Sequence, residues 1–476
     1  MFNLRISELS IYRWRYWIGY GIVAIGLIAV IVFASLYSPG GISTQEMESV
    51  VKSSSINFAN FESLMVTNLP YHLLQQASLA IFGVSILSIK LPSIILAFLS
   101  AVGIILLLIN WSKPRIAVLT SLIAITTGQF IFIAQYGTPS ILYLFWPVLL
   151  ILLASIISHK PTRFRMFFKI AFCIVAALSL YTPLSIYVLI ALVSAILLHP
   201  HLRFLIRQLS KPKIMIGMAV AFLLSIPLVI TIIKTPNLGL TLLGIPTKWP
   251  NLGANFTSLG AQYLGFTKPG GTTLMTPFFE LGLMLIIAIG IYYVIKTWAT
   301  AKSYVIGLWA LCLIPIVVLN PSYTSITFLP LVLLMAFGLN MLLMHWYDLF
   351  PRNPYARIGG LIPVIILVAV LVVSSVDRYV HGYKYDPNIK PSFSNDLALI
   401  PTDTKNLVVA SNELAFYKVI ATHNKLLNVS TLPTTDTFLA THNANQAFIG
   451  YKIDKIITSS ISNHGDRFYL YKKITK

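Results

Sequence analysis

The sequence predicts an all-α polytopic membrane protein with a small α/β domain at its C-terminal end. Three observations predict this. The 476 residues are 57% hydrophobic and only 10% charged, whereas a soluble domain keeps roughly a quarter of its residues charged. Apolar runs of span length recur between residues 17 and 377, as the thickness of a bilayer's hydrocarbon layer requires. After residue 377 the composition turns polar, and short β-like runs begin.

The apolar runs fall at 17–37, 68–88, 90–110, 116–136, 139–158, 166–182, 184–199, 213–233, 276–296, 303–320, 323–345 and 358–377. The first follows Arg5, Arg13 and Arg15 and lacks a small-residue cleavage site, so it reads as an uncleaved first span. Basic residues collect on cytoplasmic loops. The clusters Arg5/Arg13/Arg15, Lys113/Arg115, Lys160–Lys169, Arg203–Lys213, Lys296/Lys302 and Arg352/Arg357 share one side only if the 68–88 run does not cross. That run is also amphipathic: His72, Gln75 and Gln76 share one face, and Leu73, Leu74, Ala77, Ala80 and Ile81 form the other. It is expected to lie in the interface. About eleven spans result, in a multi-pass plasma-membrane protein with a cytoplasmic N-terminus and an extracytoplasmic C-terminus.

The membrane domain is expected over 1–377, with outer loops at 38–89 and 234–275, and the extracytoplasmic domain over 378–476. Strands are expected within 406–411, 425–430, 455–460 and 467–473, and a helix within 411–423. Cys173 and Cys312 sit in apolar runs, so neither a disulfide framework nor a zinc site is indicated. The net charge of +20 is split among short loops, so no nucleic-acid surface is expected. The tail holds no Gly-rich phosphate loop, GxSxG or HExxH motif.

The first outer loop carries "STQEMESVVKS" at 43–53, with two of only fourteen acidic residues. Ser43 and Glu46 have capping-box spacing, and Glu48 stands four residues before Lys52, the favourable order for an ion pair. Met47, Val50 and Val51 form an apolar stripe that could rest on the membrane. A carboxylate held at the outer interface, beside apolar surface, could act as a general base.

Other stretches follow a recognisable order. They are "NLPYHLLQQASLAIFGVS" (68–85), "KLPSIILAFLS" (90–100), "QYGTPSILYLFW" (135–146), "KPGGTTLMTPFFELGLMLIIAIG" (268–290) and "TFLPLVLLMAFGL" (327–339). Together they resemble the GT-C superfamily of polytopic glycosyltransferases over about residues 15 to 345. Within it the chain is similar to bacterial relatives of protein O-mannosyltransferases and aminoarabinose transferases, the glycosyltransferase family 39-like group. The resemblance implies transfer of a sugar from a polyprenyl-phosphate donor to a lipid, glycan or protein acceptor on the outer face. It implies Glu46 as the catalytic base, with Glu48, Tyr71, His72 and Lys268 as substrate-binding candidates. Gln45, Thr138 and Ser140 stand where the family usually has Asp, Arg and Asp. Some members use a divalent ion, for which this sequence shows no evident ligand set. Two other readings stay open: an inactive scaffold on the same fold, and a lipid or sugar transporter. The near absence of ionisable groups within the spans argues against the transporter.

Overall fold

The computed structural model describes residues 10–37, 40–158, 165–207, 211–264, 281–349, 354–385, 392–423, 427–458 and 466–474. Helices α1 (Ser10–Tyr37), α2 (Thr44–Ser54), α3 (Leu69–Phe82), α4 (Ile86–Trp111), α5 (Pro114–Thr126), α6 (Gly128–Gln135) and α7 (Leu142–Ser158) build the half of the bundle that carries the first loop. Among the described residues, six helices are long and apolar enough to cross a membrane, and eight if two bent pairs each make one crossing. The remaining three expected runs coincide with the shorter apolar helices Ala24–Tyr37, Met166–Ser179 and Leu281–Lys296. One bent pair is α5 and α6, which meet at 60° where Thr127 caps α6 by accepting from Phe130 N. The other joins Ser185–Leu198 to Pro200–Arg207 at 94°. Proline lacks the amide a continuing helix needs, and it pushes the residue before it out of helical geometry.

The 68–88 run forms no helix of crossing length. Asn68 enters α3 in the left-handed conformation, with Pro70 in the first turn, and Gly83 ends it at φ 69°. Its 14 residues span about 21 Å, short of the roughly 30 Å a crossing needs. The two faces are separated as the pattern predicts, and the apolar one is left open, as an interfacial helix requires. His72 and Gln75 are buried against the protein, and Leu74, Ile81 and Phe82 are exposed.

A main core of apolar side chains fills the bundle, from Ile31 and Tyr71 through Phe130, Trp146 and Trp309 to Leu339. The helix Pro354–Tyr385 carries the chain past residue 377 without a break and delivers it to the polar tail. There a first pair of short strands, β1 (Ile42–Ser43) and β2 (Phe393–Ser394), ties the tail to the first loop in antiparallel register. Gly41, at φ +69°, permits this clasp, because a Cβ there would stand 2.7 Å from Ser394 O.

The tail sheet contains β3 (Asn406–Val408), β4 (Asn428–Ser430), β5 (Thr437–Thr441), β6 (Tyr451–Thr458) and β7 (Arg467–Lys473), in spatial order β4-β3-β5-β7-β6. β3 is parallel to β4 and β5, and β7 is antiparallel to β5 and β6. The four expected strand regions and the helix, Leu414–His423, are present. β5, the central strand, was not expected from the sequence. Its "TFLAT" run is too short to show alternation, and four of its five residues are buried.

The tail does not pack as a separate ball. Leu407, Val409, Phe416, Tyr417, Ile420 and Phe468 share one core with Ile42 and Val50 of the first loop and with Leu79 and Ile89. Met47 and Val51 lie against this same core. The apolar stripe of α2 therefore rests on the tail, not on lipid.

Beside the clasp lie three buried carboxyl groups, Asp396, Glu413 and Asp466. Burial first, then Asp466 and Glu413, push the Asp396 carboxyl from 3.8 up to about 7, against a hydrogen bond from Ser394 that lowers it. The folded state thus keeps a proton that the unfolded state releases between those values, so this group's penalty grows as pH rises through that window. Asp396→Asn is expected to raise the thermal midpoint above pH 7 and to match the wild type near pH 4. Denaturation of the detergent-solubilised protein across this range checks it.

Candidate functional site

Helix geometry divides the two glutamates of α2. Residues 45, 48, 49 and 52 lie on one face, and 46, 50 and 53 on another. The second face is buried: Glu46, Val50 and Ser53 are inaccessible to solvent. The capping box read from the sequence forms in full. Glu46 N donates to Ser43 Oγ at 3.3 Å, and Ser43 N donates to Glu46 Oε2 at 2.8 Å.

Glu46 does more than cap. Its Oε1 accepts from Gly137 N at 2.7 Å and lies 3.8 Å from Lys90 Nζ, both side chains being 0% exposed. Lys90, the first residue of the "KLPS" stretch, also donates to Gln135 Oε1 at 2.8 Å and to Ser35 O at 3.3 Å. A buried charge is tolerated when it is paired and hydrogen-bonded, and this pair has both. Gly137 must be glycine for the approach: a Cβ would stand 2.9 Å from Ile89 Cγ2 and 3.0 Å from Glu46 Oε1.

The other face of α2 borders a cavity of about 290 Å³. From α2 come Gln45, Glu48, Ser49 and Lys52. Thr67, Asn68 and His72 close it at the start of α3, and Thr138, Ser140 and Tyr143 close it at the turn into α7. Glu48 and Lys52 are exposed, and among the described residues they form no ion pair within 4.0 Å, unlike the pairing expected from their spacing. Each is free to meet a ligand. His72 Nδ1 lies 2.8 Å from Ser53 Oγ. Burial first, then the charge of Lys52, lower the His72 imidazole to about 4.

Of the residues implied by the resemblance, the structure brings Glu48 and His72 to the cavity. Glu46 is behind it, with both carboxylate oxygens engaged by the protein. Tyr71 is buried in the main core, its hydroxyl 2.8 Å from Ser93 Oγ. Lys268 lies outside the described residues. Gln45, Thr138 and Ser140, where the resembling family has charged residues, all line the cavity. Lys52 and Ser49 were not expected there, although the polar stripe 45/48/49/52 is legible as i, i+3, i+4, i+7.

The described residues contain no group of three His, Cys, Asp or Glu side chains that could hold a metal ion. Glu48 and His72 are the two such groups on the cavity. They do not fit a divalent-ion site by themselves, and no step below runs through a metal.

No family model and no curated protein matches the chain. Solved structures do match. ArnT from Cupriavidus metallidurans, determined in the apo state and bound to undecaprenyl phosphate, aligns with a TM-score of 0.51 at 12% identity, over 95% of this chain and 98% of that one. The Archaeoglobus fulgidus oligosaccharyltransferase in its apo form aligns with a TM-score of 0.52 at 13% identity, over 87% of this chain and 64% of that one. Both are glycosyltransferases of the GT-C fold. At such identities the likeness establishes the fold, and the chain is a polytopic membrane protein with the GT-C fold and a small strand-containing C-terminal unit.

Proposed function

We propose that the protein transfers a sugar from a polyprenyl-phosphate carrier to an acceptor hydroxyl. The observation that carries this reading is the cavity beside α2, which holds one carboxylate, Glu48, and one ammonium, Lys52, among hydroxyl and amide side chains. The fold likeness to ArnT, which has been determined with undecaprenyl phosphate bound, supports a lipid phosphate as leaving group. Its tail would stay in the bilayer.

The chemistry follows from these two charges. The acceptor oxygen attacks the anomeric carbon, and the bond from that carbon to the phosphate oxygen breaks. Glu48 takes the proton of the acceptor hydroxyl. Lys52 faces the negative charge that develops on the departing phosphate, where a preorganised cation stabilises the transition state most. Glu46 supports the reaction from behind, by holding α2 against Gly137. The basic clusters argue that this end of the bundle faces outward. The tail clasped to the first loop would then stand over the acceptor side.

Purified protein in nanodiscs, given polyprenyl phosphate carrying a labelled sugar and candidate acceptors, is expected to release polyprenyl phosphate. Failure to release it or to bind any such donor would overturn the transfer reading in favour of a scaffold.

A further inference from the structure

The hydrogen bonds around Gln75 place a proton on His72 Nδ1. Gln75 Nε2 donates to Ile89 O at 3.1 Å and to Gly137 O at 3.0 Å. Both are carbonyls and can only accept, so the amide can stand one way round. Its Oε1 then faces α2, where it accepts from Ser49 Oγ at 2.8 Å and Ser53 Oγ at 2.7 Å.

Ser53 Oγ has three neighbours: Gln75 Oε1, Ser49 O at 2.8 Å and His72 Nδ1 at 2.8 Å. The first two can only accept, and the hydroxyl has a single proton. Given to His72, it would leave Ser53 with lone pairs facing two acceptor oxygens. Given toward those oxygens, it leaves a lone pair for His72, and Nδ1 must then carry the proton. A neutral imidazole has one N–H, so its Nε2 is bare. Nε2 has no hydrogen-bond partner among the described residues, and His72 lines the cavity.

We propose that the Gln75–Ser53 relay presets His72 as its neutral Nδ1–H tautomer, and that the bare Nε2 accepts a hydrogen bond from a substrate hydroxyl. A lone pair there would repel phosphate oxygens, so the phosphate belongs with Lys52. Burial and Lys52 both keep the ring uncharged. The other titratable groups around it are Glu48 and Tyr143 across the cavity and Tyr71 beside it. That the hydroxyl is one of the transferred sugar or of the acceptor rests on the transfer reading. The tautomer does not.

The test uses full-length protein labelled with nitrogen-15 at histidine, in nanodiscs. The signal lost in His72→Gln is expected to show a protonated Nδ1 and an unprotonated Nε2 at pH 7. Ser53→Ala should give a mixture of tautomers. In turnover assays His72→Phe should raise KM about tenfold, the loss of one hydrogen bond, for either the donor or the acceptor. Which of the two rises identifies the hydroxyl. Affinity for polyprenyl phosphate without a sugar should not change. An Nε2–H tautomer, an imidazolium at pH 7, unchanged KM for both substrates, or weakened binding of the bare lipid phosphate would each overturn the assignment. If the transfer reading fails, wild-type protein turns over no donor, and the nitrogen-15 result still decides the state of His72.

Discussion

Glu48→Gln is expected to lower the rate of sugar transfer by about 10²–10⁴-fold, the usual contribution of a positioned general base. The thermal midpoint should stay within a degree or two of the wild type, because Glu48 is exposed and forms no ion pair among the described residues. KM for the donor should change little, since glutamine keeps the size and hydrogen-bonding reach of the side chain. Single-turnover release of polyprenyl phosphate, read beside thermal unfolding, separates loss of chemistry from loss of fold. Full activity in this variant would remove Glu48 from the mechanism.

Glu46→Gln is expected to act on the fold first. It leaves Lys90 buried without its charge partner, and breaking a buried pair from one side typically costs about 3–5 kcal/mol. Ser43 N and Gly137 N donate to different carboxylate oxygens, so the single glutamine oxygen keeps one contact and the NH2 group faces the other N–H. The loss should therefore combine the unpaired charge with one broken backbone hydrogen bond. A second change, Lys90→Met in the same chain, should recover the part of the loss that comes from the unpaired charge, while the broken hydrogen bonds of this network remain lost. A midpoint that does not fall in Glu46→Gln, together with lost turnover, would instead place Glu46 in the chemistry. The two glutamates thus give opposite signatures: activity lost with stability kept, and stability lost first.

Much of the membrane architecture could be read without coordinates. Apolar run length marked out the long apolar helices, because the bilayer imposes one length on every crossing segment. The short α3 was legible from its amphipathic pattern, although not what its polar face meets. Its polar face turns inward because Ser49 and Ser53 of α2 and the carbonyls of Ile89 and Gly137 await Gln75 there. In the tail, four of the five strands of the sheet were visible as short β-like runs, while its buried central strand β5 was not, since a strand covered on both faces carries no alternation.

The candidate site was located by sequence but its roles were not. The capping box of Ser43 and Glu46 is a local interaction three residues apart, so spacing alone determined it. The resemblance directed attention to Gln45, Thr138 and Ser140, and these do line the cavity. What separated Glu46 from Glu48 was the arrival of Lys90, Gln135 and Gly137 from distant segments on one face of α2. The tail did the same for Met47, Val50 and Val51, covering an apolar stripe that the sequence assigned to lipid. Sequence by itself determined the elements that depend on neighbours along the chain and on the bilayer: the apolar runs and the cap. Only the tertiary structure decided which carboxylate is sealed and which is offered to a ligand, because burial depends on what packs against a helix face, and those partners are about 30 to 420 residues away.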